Sequence, residues 1–321
     1  MTIEAQLIAR LRRIASDPAA RGLLDDAALL DGLVITHDTI AEGVHFLPSD
    51  PAASVGWKLV AVNLSDLAAK GASPAGALLS LTIGADTAWD DEFLTGVEHA
   101  CESYALPLIG GDTIALPPGA TRVLGLTAIG RAGTNVPSRS GARPGDTLWV
   151  VGSLGDAAAG LRQLIADSKA HGLLVESYRR PVPQLGAGQV LSEHATAMMD
   201  ISDGLLLDAS RLAEASDCGA DIALDLLPLS RAFVAEVGHD LASRLFAATG
   251  GDDYALLAAL PAECNPLILP LPSGTTMTRI GTMTAGSPDV RLFDGVVPIP
   301  LPETLGYEHR GRIASPVADR P

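Results

Sequence analysis

Val62-Asn63-Leu64-Ser65-Asp66-Leu67-Ala68-Ala69-Lys70-Gly71 closes an apolar segment that opens near Pro51-Ala52-Ala53-Ser54. Ser54 offers a cap at the start and Gly71-Ala72-Ser73-Pro74 stops the run, so the spacing predicts a helix ending at Ala69. Leu59, Val62 and Ala69 can face a core, whereas Asn63, Asp66 and Lys70, three and four residues apart, share another face. A lone carboxylate inside such a helix is expensive to bury. Two readings compete for Asp66. It is a solvent-facing partner of Lys70, worth about 0.2–0.5 kcal/mol, or a ligand in a polar site that the helix helps to build.

Outward from this helix, four more Asp-bearing turns recur at the ends of apolar stretches. They are Leu24-Asp25-Asp26-Ala27, Thr36-His37-Asp38-Thr39, Gly110-Gly111-Asp112-Thr113 and Met199-Asp200-Ile201-Ser202-Asp203-Gly204. Any one of them has an ordinary explanation as an Asx-turn or a helix cap. Five in similar settings point to something cationic that gathers them, because like charges do not otherwise converge in a fold. Hard divalent cations take oxygen ligands, and nucleotide-borne Mg²⁺ is the usual reason to collect several Asp in one cleft. The expected metal set is Asp26, Asp38, Asp66, Asp112 and Asp200, with Thr36 beside Asp38 and with Asp203 at the strand-to-helix transition.

The reaction class that fits is ATP–Mg²⁺ phosphotransfer. Gly111 allows backbone N–H groups to approach a polyphosphate. Ser202 and its neighbouring N–H groups can hold phosphate at a helix start, and Arg139 can make a forked phosphate contact or a surface ion pair. His45 follows a Glu42-Gly43-Val44 turn and either meets substrate phosphate or is structural. No G-x-x-x-x-G-K-[ST] loop and no protein-kinase motif set occurs. A noncatalytic nucleotide sensor and a structural dimerisation protein stay open on these residues alone.

The chain has 321 residues and a formal charge of −16, with three scattered cysteines and no metal-ligand His/Cys spacing. That length fits two domains of roughly 150 residues each. The acidity argues against nucleic acid as a partner. The cysteines suit a reducing cytoplasm, and no apolar run nears the roughly 20 residues that span a bilayer. Before residue 130 the patterning reads helix, strands, helix, strand, helix, strand, strand. Ala105 to Ile109 is read as a short buried strand ending in the Gly110-Gly111-Asp112 turn. Gly130 to Asp146, with several Gly, two Pro and Arg131, Arg139 and Arg143, reads as a connection. Strands from Thr147, Thr196, Asp221, Tyr254 and Met277, interleaved with helices, follow it; Tyr178 to Pro183 is read as an irregular loop. The expected class is mixed α+β.

These segments together resemble the thiamine-monophosphate kinase family, within the ATP-binding group that includes aminoimidazole ribonucleotide synthetase. The resemblance runs over nearly the whole chain. Asn63-Leu64-Ser65-Asp66 is shared broadly by the larger group, and the parts specific to the thiamine-phosphate branch are Glu42-Gly43-Val44-His45-Phe46, Ser138-Arg139-Ser140-Gly141 and Gly250-Gly251-Asp252-Asp253-Tyr254. It implies a first domain over 1–137 whose sheet forms a barrel in a homodimer, and an α/β second domain over 138–321. It also implies that Asp26, Asp38, Asp66, Asp112 and Asp200 bind Mg²⁺, that Asp203 binds a further ion, and that Gly111, Asp112, Arg139 and Ser202 meet ATP. His45 and Asp252 would meet thiamine monophosphate. Tyr307, in Leu305-Gly306-Tyr307-Glu308-His309, would stack on its rings in place of the family's usual Trp. The implied reaction makes thiamine diphosphate by direct in-line transfer, with no general base.

Overall fold

A computed structural model describes residues 3–117 and 119–308. The N-terminal half runs α1 (Ile3–Ile14), β1 (Ala28–Leu30), β2 (Leu33–Ala41), α2 (Ala52–Ala69), β3 (Ser73–Ile83), α3 (Thr87–Ser103), β4 (Leu108–Ala115) and β5 (Val123–Arg131). Its five strands lie in the order β1-β2-β5-β3-β4, with β3 and β4 parallel and the other pairs antiparallel. No helix or strand occupies 132–146, as the Gly- and Arg-rich connection predicts.

The second half runs β6 (Thr147–Val151), α4 (Asp156–Ala166), α5 (Leu173–Arg179), α6 (Leu185–Ser192), β7 (Ala197–Ile201), α7 (Leu205–Ser216) and β8 (Gly219–Ala223). It continues through α8 (Arg231–Glu236), α9 (Leu241–Thr249), β9 (Ala255–Leu260), β10 (Met277–Thr284), β11 (Val290–Asp294) and β12 (Val297–Ile299). Its sheet order is β12-β11-β8-β10-β6-β9-β7. Both halves mix helices with sheets that are largely antiparallel, so the mixed α+β expectation holds.

Helix α2 organises the molecule. Fifteen of its 18 residues are buried, because it meets α3 and the first sheet on one side and α6, β7 and β9 on the other. The seam between the halves is apolar: Ala68 and Ala69 pack in one cluster with Trp149, Leu191, Met198 and Leu256. Ser54 does not cap α2; Pro51 precedes it with no side-chain cap.

The α2–α3 crossing depends on two glycines. A Cβ on Gly96 would sit 1.9 Å from the Ala53 carbonyl oxygen, and one on Gly56 would sit 2.2 Å from that of Phe93. Backbone cannot yield as a side-chain tip can, so Gly96→Ala is expected to lower stability by about 1–3 kcal/mol. A urea midpoint identical to the parent's would show that the helices part freely.

Three expectations need correction. Ala105 to Ile109 is not a buried strand ending in a turn; Gly110, Gly111 and Asp112 lie inside β4, paired with Leu78, Leu79 and Ser80 of β3. All eight β4 residues are exposed, because this edge strand has no covering layer among the described residues. Gly111 is required there: its φ is +152°, and a Cβ would meet the Leu79 carbonyl oxygen at 2.0 Å. Finally, Tyr178 and Arg179 close α5, so the irregular segment starts at Arg180.

Candidate active site

Each polar residue of the Asn-Leu-Ser-Asp stretch reaches a different part of the molecule. Asn63 accepts the Asp38 N–H at 2.9 Å through Oδ1 and donates through Nδ2 to the Leu59 carbonyl at 2.9 Å, fixing β2 against α2. Ser65 donates to Asp200 Oδ2 at 2.8 Å, across to β7. Asp66 accepts a short hydrogen bond from the Thr36 hydroxyl. Lys70 does not pair with Asp66. From the end of α2 its ammonium enters the seam and meets Asp25 Oδ1 at 2.5 Å and Asp26 Oδ2 at 2.7 Å.

Carboxylate oxygens of Asp26, Asp66 and Asp200 thereby come within 4.8 Å of one another. Burial first, and neighbouring carboxylates second, push Asp66 and Asp200 well above the usual carboxylate range. Asp38 is pushed up to about 6, mainly by burial and then by Asp26 and Asp203, against the opposing effect of His37. Burial pushes Asp26 up as well, but Lys70 and Arg139 together outweigh it and hold this carboxyl below its ordinary range. Such a cluster of oxygen donors, two of them lacking a cationic partner within hydrogen-bonding reach among the described residues, suits a hard divalent cation.

The cluster forms the floor of a cavity of about 420 Å³ between the two halves. Asp26, Asp38, Asp66, Asp200, Asp203, Arg139, Ser202, His45, Asp252 and Tyr307 all line it. Thr36 stands behind Asp66. Gly111 and Asp112 do not reach this cavity: β5 and β3 separate their strand from β2 and Asp38. Tyr307 is half exposed at the rim, its N–H bonded to the Asp203 carbonyl at 2.8 Å. His309 lies outside the described residues.

Two groups of site residues escape a reading of the sequence. The Ser202 and Asp203 N–H groups are not free for phosphate; Asp208 Oδ2 accepts both, at 3.1 and 3.0 Å. Arg211 Nη1 then bridges Asp208 Oδ1 at 2.8 Å and Asp203 Oδ2 at 2.6 Å. The only sequence signal was a single acid in the apolar first turn of α7, with an arginine three residues on. Arg211→Met is expected to loosen this turn and raise the KM of a ligand held against it about tenfold, the scale of one charged hydrogen bond. An unchanged KM would make Arg211 a bystander.

The second group is a wall of the cavity joined to the first by the Asp252 N–H, which donates to the Ser202 carbonyl at 2.8 Å. Lys58, buried in α2, donates to Asp252 Oδ2 at 2.9 Å and to the His45 carbonyl at 3.0 Å, with its ammonium 3.9 Å above the Tyr178 ring. Asp252 also accepts from the Tyr254 hydroxyl at 3.1 Å. Its neighbour Asp253 turns away and caps α4, accepting from Gly155 N–H at 2.6 Å and Ala157 N–H at 3.2 Å. The paired aspartates of Gly-Gly-Asp-Asp-Tyr thus have separate tasks.

Fold and cleft define a class: residues 24–132 match the AIR synthase related protein N-terminal domain and residues 143–292 match its C-terminal domain. The thiamine-monophosphate kinase of Escherichia coli K12 is 40% identical over 303 residues, covering 90% of this chain and 91% of that one. The enzyme of the same name from Halobacterium salinarum is 36% identical over 271 residues, covering 84% and 90%. AaThiL complexed with AMPPCP and TMP is a solved structure with a TM-score of 0.81 and 31% identity, covering 94% of this chain and 96% of that chain. The chain belongs to the thiamine-monophosphate kinase family.

Proposed function

We propose that this protein transfers the γ-phosphoryl group of ATP to thiamine monophosphate, giving thiamine diphosphate and ADP. The observation that carries it is the convergence of Asp26, Asp66 and Asp200 with His45, Asp252 and Tyr307 in one cavity. A relative with this fold is known complexed with AMPPCP, a methylene-bridged ATP analogue, and TMP.

A phosphate oxygen of the acceptor attacks the γ-phosphorus in line as the bond to the β,γ-bridging oxygen breaks. The attacking oxygen is already anionic, so no general base is needed. Catalysis then rests on placement and charge neutralisation. Asp26, Asp66 and Asp200 would hold Mg²⁺, with Asp38, Asp203 and Thr36 in support. Mg²⁺, when bound, supplies Lewis-acid neutralisation of crowded phosphate oxygens. Arg139 and Ser202 face the nucleotide, while His45, Asp252 and Tyr307 face the thiamine monophosphate.

Two further parts of this reading concern assembly. The exposed β4 edge, with Leu108 49%, Ile109 60% and Ile114 54% exposed, supports a homodimer in which the first sheets form a barrel. Gly111 and Asp112 lie on that edge, so their proposed nucleotide and metal contacts would be made there. The domain boundary falls at 137/138, inside the segment between the two family matches. The three free cysteines suit a reducing cytoplasm; among the described residues no helix is long and apolar enough to cross a membrane.

The test is formation of thiamine diphosphate by purified protein with ATP and Mg²⁺ varied independently. Product and ADP should appear in equal amounts and depend on both. No product across either titration defeats the assignment.

A further inference from the structure

Lys70 sits where an acidic metal site would ordinarily carry a metal. Its side chain is fully buried, and four oxygens surround its ammonium. These are Asp25 Oδ1 at 2.5 Å, Asp26 Oδ2 at 2.7 Å, and the carbonyls of Pro137 and Met198 at 3.1 and 3.0 Å. The three ammonium protons go to Asp25 and the two carbonyls, and Asp26 Oδ2 faces the charge as an ion pair without a hydrogen bond. Two carboxylates and two carbonyls converging on one positive charge are the donor types that a hard cation collects.

The cluster is asymmetric in consequence. Both oxygens of Asp26 are taken by cations of the chain itself, Oδ2 by Lys70 and Oδ1 by the Arg139 Nε at 2.6 Å and Nη2 at 2.5 Å. Among the described residues, Asp66 and Asp200 receive only a neutral hydroxyl each, from Thr36 and Ser65. We propose that Lys70 is a resident cation that takes the place of one divalent ion at the Asp25-Asp26 end of the cluster, so that metal is recruited on the side where Asp26 faces Asp66 and Asp200. The inference rests on the cluster being a Mg²⁺ site, and its test needs neither nucleotide nor turnover.

Mn²⁺ binding to the full chain, counted by the loss of free Mn²⁺ signal in electron paramagnetic resonance, is compared for the parent, Lys70→Met and Lys70→Arg. Lys70→Met should bind one more Mn²⁺ per chain, or bind at least about tenfold tighter, and should gain more thermal stability from Mg²⁺ than the parent does. Lys70→Arg keeps the charge and should behave as the parent. Should Lys70→Met not fold, Lys70→Gln carries the test, since its amide still donates to the Pro137 and Met198 carbonyls without the charge. Equal Mn²⁺ number and affinity in parent and charge-free variant overturns the role of Lys70 alone. Weaker binding in the variant overturns it too, by making Lys70 a positioner of ligands. So does tightening shared by Lys70→Arg. Absence of Mn²⁺ binding in both parent and variant removes the metal reading of the whole site together with this one.

Discussion

Asp66→Asn is expected to cut kcat at saturating ATP by about 10²–10³, the scale of losing one preorganised charge at a transition state, while its metal-free form becomes more stable than the parent's. The two effects share a cause. Asp66 is buried, accepts among the described residues only from Thr36, and is pushed well up by burial and by Asp38 and Asp200. A carboxyl that titrates higher in the folded state holds its proton more tightly there than in the unfolded chain. Its penalty is absent below the unfolded pKa of about 4 and complete above the folded one, so metal-free stability falls as pH rises through that window. Asp38, at about 6, and Asp208, at about 7, act with the same sign. Asparagine keeps the shape and still accepts from Thr36, and it removes the Asp66 share of the fall. Thermal midpoints at pH 5 and pH 8, in EDTA and in Mg²⁺, read this directly: the variant gains most at pH 8 in EDTA, and Mg²⁺ erases the gain. Unchanged turnover removes Asp66 from the site, and a variant less stable at pH 8 in EDTA refutes the electrostatic account.

The same residue shows how far the sequence could be read. Helix α2 was legible because local spacing decides a helix and Gly71 with Pro74 ends it. That Asp66 belongs to a polar site was legible too, since a carboxylate within an apolar run must be compensated. Its partners were not. The four-residue spacing to Lys70 suggested a pair along one helix face, yet α2 is buried on all sides, so Lys70 turns instead to Asp25 and Asp26. Ser65 and Asp200 are 135 residues apart and meet only because β7 docks on α2. The β4 strand failed for a different reason. An apolar run carries no mark of whether its covering layer belongs to the same chain, and none of the described residues covers this one. Arg211 lines the cavity itself, Asp208 reaches it through the Ser202 and Asp203 N–H groups and Lys58 through Asp252 and the His45 carbonyl; local spacing alone does not report such contacts.

Lys58 supplies the other large expected effect. It joins Asp252, on the second half of the chain, to the His45 loop on the first, and both residues line the cavity. Asp252 is held in a left-handed backbone conformation at φ +70°, which a non-glycine residue keeps only when its surroundings over-determine it. Removing the ammonium frees the carboxylate to turn toward water and lets the His45 loop drift, while the Arg139 and Arg211 ion pairs, which do not involve Lys58, stay in place. Lys58→Met, which preserves the apolar stem, should therefore raise KM for thiamine monophosphate about 10–100-fold, as expected for charged hydrogen bonds worth about 1.5–3 kcal/mol. It should leave kcat and KM for ATP within about twofold, the signature of lost binding that is equal in ground and transition states. Asp252→Asn distinguishes positioning from general loosening: if Lys58 acts through Asp252, adding Lys58→Met to that background costs little more. Fully additive effects would place Lys58 on an independent path. A fall in kcat with KM unchanged would move it from the substrate wall into the transfer step itself.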